Sequence, residues 1–307
     1  IVLDSDNAIT GALTFTTQTS GSTNGADITF DNGATAISLA AFTTEGDLTL
    51  KTDAAIALTG HNVQGDLSVT SAGAITQSAA LTVSGTSSFT STGTNTNITL
   101  STDSNALTGA VSAVTAGTSG DVTIDNGTTA LNIGTLTANG DLSIRGGNGI
   151  TDSGVITVAR DATFITDAND IDIVLDSNNA ITGALTFTTQ TSGSTNGADI
   201  TFDNGSTAIS LAAFTTEGNL TLQTDAAIAL TGHTVNGDLA VTSAGAISQS
   251  AALTVSGTSS FTSTGSNNNI TLSTDSNALT GAVSASTAGS SGDVTIDNGT
   301  TALIIGT

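Results

Sequence analysis

Residues 1–135 return without a gap as residues 173–307, with 13 differences in 135 positions. A chain that restates itself at a period of 172 is built from stacked units, because one such unit cannot bury its own apolar face. The differing pairs include Asp6/Asn178, Lys51/Gln223, Asn62/Thr234, Val114/Ser286 and Asn132/Ile304. Two smaller scales lie inside the period. "DNGATAISLAAFTTEG" (Asp31–Gly46) aligns with "DNGTTALNIGTLTANG" (Asp125–Gly140), and "NAITGA" (Asn7–Ala12) with "NALTGA" (Asn105–Ala110). At the smallest scale an apolar anchor recurs at Phe30, Leu50, Val69, Phe89, Ile124, Ile144, Phe164 and Phe202, in steps of 20, 19, 20, 35, 20, 20 and 38. The second copy continues the series at Leu222, Val241, Phe261 and Ile296.

Around each anchor the pattern has period two. Leu48 and Leu50 flank Thr49, and Val122 and Ile124 flank Thr123, which is the alternation of a half-buried strand. Gly-Asp or Asn-Gly precedes most anchors and supplies turn chemistry. Helical periodicity never outlasts a turn, and β-branched residues dominate. The expected fold is therefore all-β: a parallel β-solenoid of about 20-residue coils, with periodic longer coils of about 35–38 residues at the long steps. Three strands per coil fit best, near Leu48–Leu50, Ala55–Leu58 and Val63 in one short coil. In a long coil, "SSFTST", "NITLST" and "ALTGAVSA" would be the three strands. The preferred count is about seven coils per period; the rival count, with each long step split, is about nine. The organisation expected is a first repeat unit at 1–172 and an incomplete second copy at 173–307, forming one continuous solenoid.

The alphabet agrees with a thin core. There is no Pro, Cys, Met, Trp or Tyr, and hydrophobic residues make up 37%. The formal charge is −23, with Lys51, Arg145 and Arg160 the only cations, which argues against nucleic acid and anionic membranes as partners. No apolar run reaches the length of about 18–20 residues that a membrane helix needs. A start at Ile1 without Met or signal peptide reads as a piece of something longer. "IVLD" and "IIGT" carry no capping signal, so head-to-tail stacking of further units on each end is expected. Lateral fibre contacts and glycans are the other partners open to such a chain.

"GDLTL…AIALTG" and "GDLSVTSAGAITQSAALTVSG" resemble the repeats of very large bacterial surface proteins, the filamentous-haemagglutinin-type adhesins. The resemblance implies an exported, elongated, right-handed β-helix used as a shaft or adhesive surface at the cell surface.

Candidate sites are few. His61 and its copy His233 are the only histidines and read as exposed turn residues. The pair Asp121/Asp125 recurs as Asp27/Asp31, Asp199/Asp203 and Asp293/Asp297. Residues four apart on a strand are about 13 Å apart, too far for a glycosidase carboxylate pair. No enzyme activity is expected. Asp-rich turns offer hard oxygens for Ca²⁺, and Asp4, Asp6, Asp167, Asp170 and Asp172 are the metal candidates. The competing reading makes these side chains turn caps. "GGNGITDSG" (Gly146–Gly154) places its Asp wrongly for a Ca²⁺-binding nonapeptide. Thr-x-Thr triplets such as Thr14-Phe15-Thr16 could be an ordinary outer face or an ice-binding array, and the hydroxyls could carry glycans. The function expected is a structural extracellular fibre segment, with a glycan-binding adhesin as the alternative. The absence of Trp and Tyr favours the shaft.

Overall fold

The computed structural model describes residues 1–17, 25–190 and 197–306. These residues contain no helix and hold only strands, turns and connecting segments. The chain divides into two compact units, Ile1–Arg160 and Asp161–Thr307. Both units are parallel β-solenoids.

In the first unit the anchors stack as their spacing predicts. Phe30 pairs with Leu50, Leu50 with Val69, and Val69 with Phe89, each directly above the last. All four are buried, which makes them one apolar column inside the coil. Their strands, Ile28–Asp31, Leu48–Thr52, Leu67–Ser71 and Ser87–Thr94, form the first face. Outward residues alternate with the column, and Thr29, Thr49, Ser68, Ser88 and Ser112 fall in one row of hydroxyls. A second face carries Ile56–Thr59, Ile75–Ala79, Ile98–Leu100, Val122–Asp125 and Leu142–Arg145. A third, narrow face carries Thr43–Thr44, Asn62–Val63, Thr82–Val83 and Ala106–Leu107. Three strands per coil hold throughout this stretch.

The long steps resolve differently from expectation. Phe89 pairs onward with Ala113, so the coil closes there and not at the next anchor. Ile124 pairs with Leu100 and Ile144 on the second face. The step of 35 is thus one coil plus one face, and the expected longer coils do not form. "ALTGAVSA" is split: Ala106–Leu107 ends one coil and Val111–Ala116 begins the next. Gly109 makes that corner. A Cβ there would lie 2.2 Å from the Gly85 carbonyl oxygen, and one on Gly85 would lie 2.5 Å from that of Gly65. Backbones this close admit only glycine.

The first face can be followed through Leu3, Phe30, Leu50, Val69, Phe89, Ala113, Leu136 and Ile156, in steps of 27, 20, 19, 20, 24, 23 and 20. Seven coils are complete by Ile156, short of the full period, so the period holds more than the preferred count of seven. The strand Leu131–Ala138 serves two faces. Its first half pairs with Ile150–Asp152 and its second with Ile156–Val158.

The second unit repeats the same register. Leu175, Phe202, Leu222, Val241, Phe261 and Ala285 stack in steps of 27, 20, 19, 20 and 24. Ile296 pairs with Leu272, one face away from that column.

Buried polar side chains complete the corners. Thr52, Ser71 and Ser91 stack in register and point inward. Thr52 Oγ1 donates to the Thr35 carbonyl at 2.9 Å, Ser71 Oγ to Ala54 at 2.6 Å and Ser91 Oγ to Gly73 at 3.1 Å. These bonds satisfy carbonyls that the turning chain leaves outside the ladder. Asn126 is fully buried and uses both ends of its amide. Its Oδ1 accepts from Leu107 N at 2.8 Å, and its Nδ2 donates to Leu107 O at 3.1 Å and Ala130 O at 2.9 Å.

Candidate functional site

The Asp that immediately precedes a strand, often as Gly-Asp, caps the next coil. Asp27 Oδ1 accepts from Asp47 N at 2.9 Å, Asp47 Oδ1 from Asp66 N at 2.8 Å, and Asp66 Oδ1 from Thr86 N at 2.7 Å. In the second unit the row runs from Asp172 to Asp199 N (2.8 Å), Asp199 to Asn219 N (2.7 Å), Asn219 to Asp238 N (2.8 Å) and Asp238 to Thr258 N (2.6 Å). Each exposed carboxylate therefore ties two coils through a charge-assisted bond.

Of the metal candidates, Asp170 and Asp172 come together with Asp199 in a shallow polar pocket also lined by Gly197, Gly218, Asn219 and Gly237. Asp170 occupies the left-handed region at φ 58°. Asp167 does not line that pocket. Asp4 and Asp6 are exposed in the first unit, and Asp6 contributes its charge to the surroundings of Lys51. Among the described residues no group of three or more His, Cys, Asp or Glu converges to hold a metal ion. The Asp121/Asp125 pair is engaged one residue at a time: Asp121 Oδ1 accepts from Asp141 N and Asp125 Oδ1 from Gly127 N.

The histidines overturn their expected place. His61 is 1% exposed and stands inside a corner. The registers Thr43↔Asn62, Asn62↔Thr82 and Thr82↔Ala106 place Phe42, His61, Leu81 and Asn105 in one column. The imidazole lies 4.6 Å from the Phe42 ring, and neither ring nitrogen has a hydrogen-bond partner among the described residues. Burial alone pushes its pKa down to about 4, because the charged form has no compensation there. His233 repeats this, 5.0 Å from Phe214 and also lowered to about 4. The signal that was available is positional. Thr82 follows Leu81 as Asn62 follows His61, and Leu81 is an unmistakable core residue.

Lys51 and Asp31 form an ion pair across two coils, Nζ to Oδ2 at 2.7 Å. The hydrogen bond from Lys51 holds the Asp31 carboxyl below its usual pKa, and the same bond raises that of Lys51. A shallow polar depression in the first unit is lined by Glu45, Asn62, Gln64, Thr82 and Ser84.

Stacked parallel coils, in-register inner columns and capping side chains that reach from coil to coil define a β-solenoid repeat protein. Residues 45–114, 119–188 and 217–286 match the family described as repeats of unknown function (DUF5649), and together they cover more than half of the chain. The chain belongs to that family. The first two matches begin at Glu45 and Ser119, just ahead of equivalent Gly-Asp phrases. The strands that follow start at Leu48 on the first face and at Val122 on the second. One family repeat is thus three coils and one further face. No curated protein and no solved structure matches the chain.

Proposed function

We propose that this chain is a structural segment of an extracellular β-solenoid fibre, in which length and a repeated surface are the product. The observation that carries the reading is the use of side chains. Inward positions fill the coil, and the polar groups that reach out of one coil bond the next, through Asp27, Asp47, Asp66 and their counterparts. The chain is not an enzyme in this reading. Its partners are further repeat units stacked head to tail, in the same chain or a neighbouring one. The strands Val2–Leu3 and Ile304–Ile305 offer exposed apolar side chains to such a unit. The resemblance to filamentous-haemagglutinin-type repeats supports a position at the cell surface.

A second reading, an adhesive surface for glycans, draws on the groove at Glu45, Asn62, Gln64, Thr82 and Ser84, whose amides and hydroxyls suit sugar hydroxyls. Negative-stain microscopy of the native material tests the first reading: long filaments of uniform width are expected, and compact particles would end it. A glycan array on the purified chain, with Asn62→Ala/Gln64→Ala as control, tests the second.

A further inference from the structure

Asparagine followed by glycine is open to attack by the glycine amide nitrogen on the asparagine side-chain carbonyl, because no Cβ hinders the approach. The reaction requires a side chain free to turn and an amide not already committed. Seven such pairs lie within the described residues: Asn32, Asn126, Asn139, Asn148, Asn204, Asn236 and Asn298, each followed by Gly.

Six of them are held. In the four "DNG" sequences the glycine N–H donates to the preceding Asp Oδ1, at 2.9 Å for Gly33 and 2.8 Å for Gly127, Gly205 and Gly299. Their asparagines are buried and their Nδ2 groups donate to carbonyls. Asn139 Nδ2 donates to Thr115 O, and Gly140 N donates to Gly120 O at 2.8 Å. Asn236 is exposed, but Gly237 N is committed to Gly218 O on the neighbouring coil at 3.0 Å.

Asn148 combines the two freedoms. Like Asn236 it is exposed, with no side-chain hydrogen bond among the described residues, but its glycine N–H is not tied to a neighbouring coil. Gly149 N reaches only Gly146 O within its own turn, at 3.4 Å, the weak end of the range. Gly149 sits at φ 119°, where glycine alone is at ease. We infer that Asn148–Gly149 is a site of spontaneous deamidation, the labile point of an otherwise locked set. Gly149 N bonds to Asn148 Cγ, the Cγ–Nδ2 bond breaks, and ammonia leaves. Water then opens the succinimide at either carbonyl, giving aspartate or isoaspartate. The isoaspartyl product inserts a methylene into the main chain just before Ile150, whose side chain is buried and which pairs with Leu131. That strand is thereby loosened.

The test is incubation of the folded chain in mildly alkaline buffer, followed by peptide mapping with a fragmentation method that separates aspartate from isoaspartate. Conversion at Asn148 is expected to run several-fold faster than at any of the other six pairs, and to slow in a Gly149→Ala variant. In urea the seven rates should converge. Equal or faster conversion at Asn139 or Asn236 in the folded chain would overturn the inference. So would a preference for Asn148 that persists undiminished in urea, since sequence rather than the fold would then set it.

Discussion

Residues 1–135 and 173–307 are one design realised twice, and their 13 differences are not scattered at random. None falls on a buried position of the first unit. Asp6, Ala34, Asp47, Lys51, Asn62, Gln64, Thr76, Thr94, Val114 and Thr118 are exposed there, and Ser68, Thr96 and Asn132 half-buried. Every column residue is the same in both copies, and the registers coincide: Phe30↔Leu50 matches Phe202↔Leu222. Shape is therefore set by the inward residues, and the outer surface is free to change so long as bonds between coils survive. Lys51 and Gln223 illustrate the condition. Both donate to the carboxylate one coil back, Lys51 Nζ to Asp31 Oδ2 at 2.7 Å and Gln223 Nε2 to Asp203 Oδ2 at 2.8 Å.

The strongest way to break this equivalence is to truncate one ring in each copy. Phe89 and Phe261 are both fully buried and both stacked on valine. Phe89→Ala and Phe261→Ala should each cost about 3–5 kcal/mol in urea unfolding. Unequal losses would show that the two columns are not packed alike. Next in size is acid. Each buried imidazole has its pKa lowered from 6.5 to about 4, so it binds its proton more weakly folded than unfolded. Stability from this source is complete above pH 6.5 and is lost as pH falls toward 4. The loss should approach roughly 3 kcal/mol per histidine. His61→Leu copies Leu81 one coil on, and should remove the histidine's share of the acid sensitivity of the first unit only. His233→Leu should do the same for the second. Unfolding followed against pH in both variants would expose any inequality between the copies.

The parts of this fold that were readable from sequence are those with short-range period. Alternation around Leu48 and Leu50, together with the spacing of Phe30, Leu50, Val69 and Phe89, was enough to place a column, because neighbouring coils there are nearly equal in length. Local pattern is silent where the column changes face. Ile124 has the same Gly-Asp phrase as Leu50, and local chemistry carries no label for which of three faces a strand occupies. Gly109 held the missing information, but a corner glycine is recognisable only once Gly65 and Gly85 are known to lie beneath it. The burial of the histidine is hidden for a related reason. "TGH" looks like a turn, but His61 lies in the short link between Ile56–Thr59 and Asn62–Val63 and is buried there. Asp172 shows only its oxygens in the sequence, whereas its partner, Asp199 N, lies a full coil away and is invisible to any local pattern.

A smaller effect is expected at Asn132, whose Oδ1 is buried without a partner among the described residues. The second copy has Ile304 at this position. Asn132→Ile should gain about 1 kcal/mol by removing an unsatisfied acceptor, read as a raised unfolding midpoint. A loss would mean that the amide makes a bond to water that the fold needs.

The smallest effect should come from exchanging the outer donors, Lys51→Gln in the first copy and Gln223→Lys in the second. Lys51 is well exposed, so its charge is screened and the change in stability should be slight. The titration is the sensitive readout. Asp31 is held below its ordinary value chiefly by the Lys51 hydrogen bond. Lys51→Gln should let the Asp31 carboxyl rise, measurable by NMR of the carboxyl carbons. A depressed folded value contributes stability above the unfolded one and loses it as pH falls, so Lys51→Gln should lower the neutral plateau slightly and flatten the acid limb by the same amount, with the two chains converging at low pH. Added salt should shrink the difference between the parent chain and the Lys51→Gln variant. If salt left it unchanged, the geometry of the hydrogen bond rather than the charge would be what the two copies share.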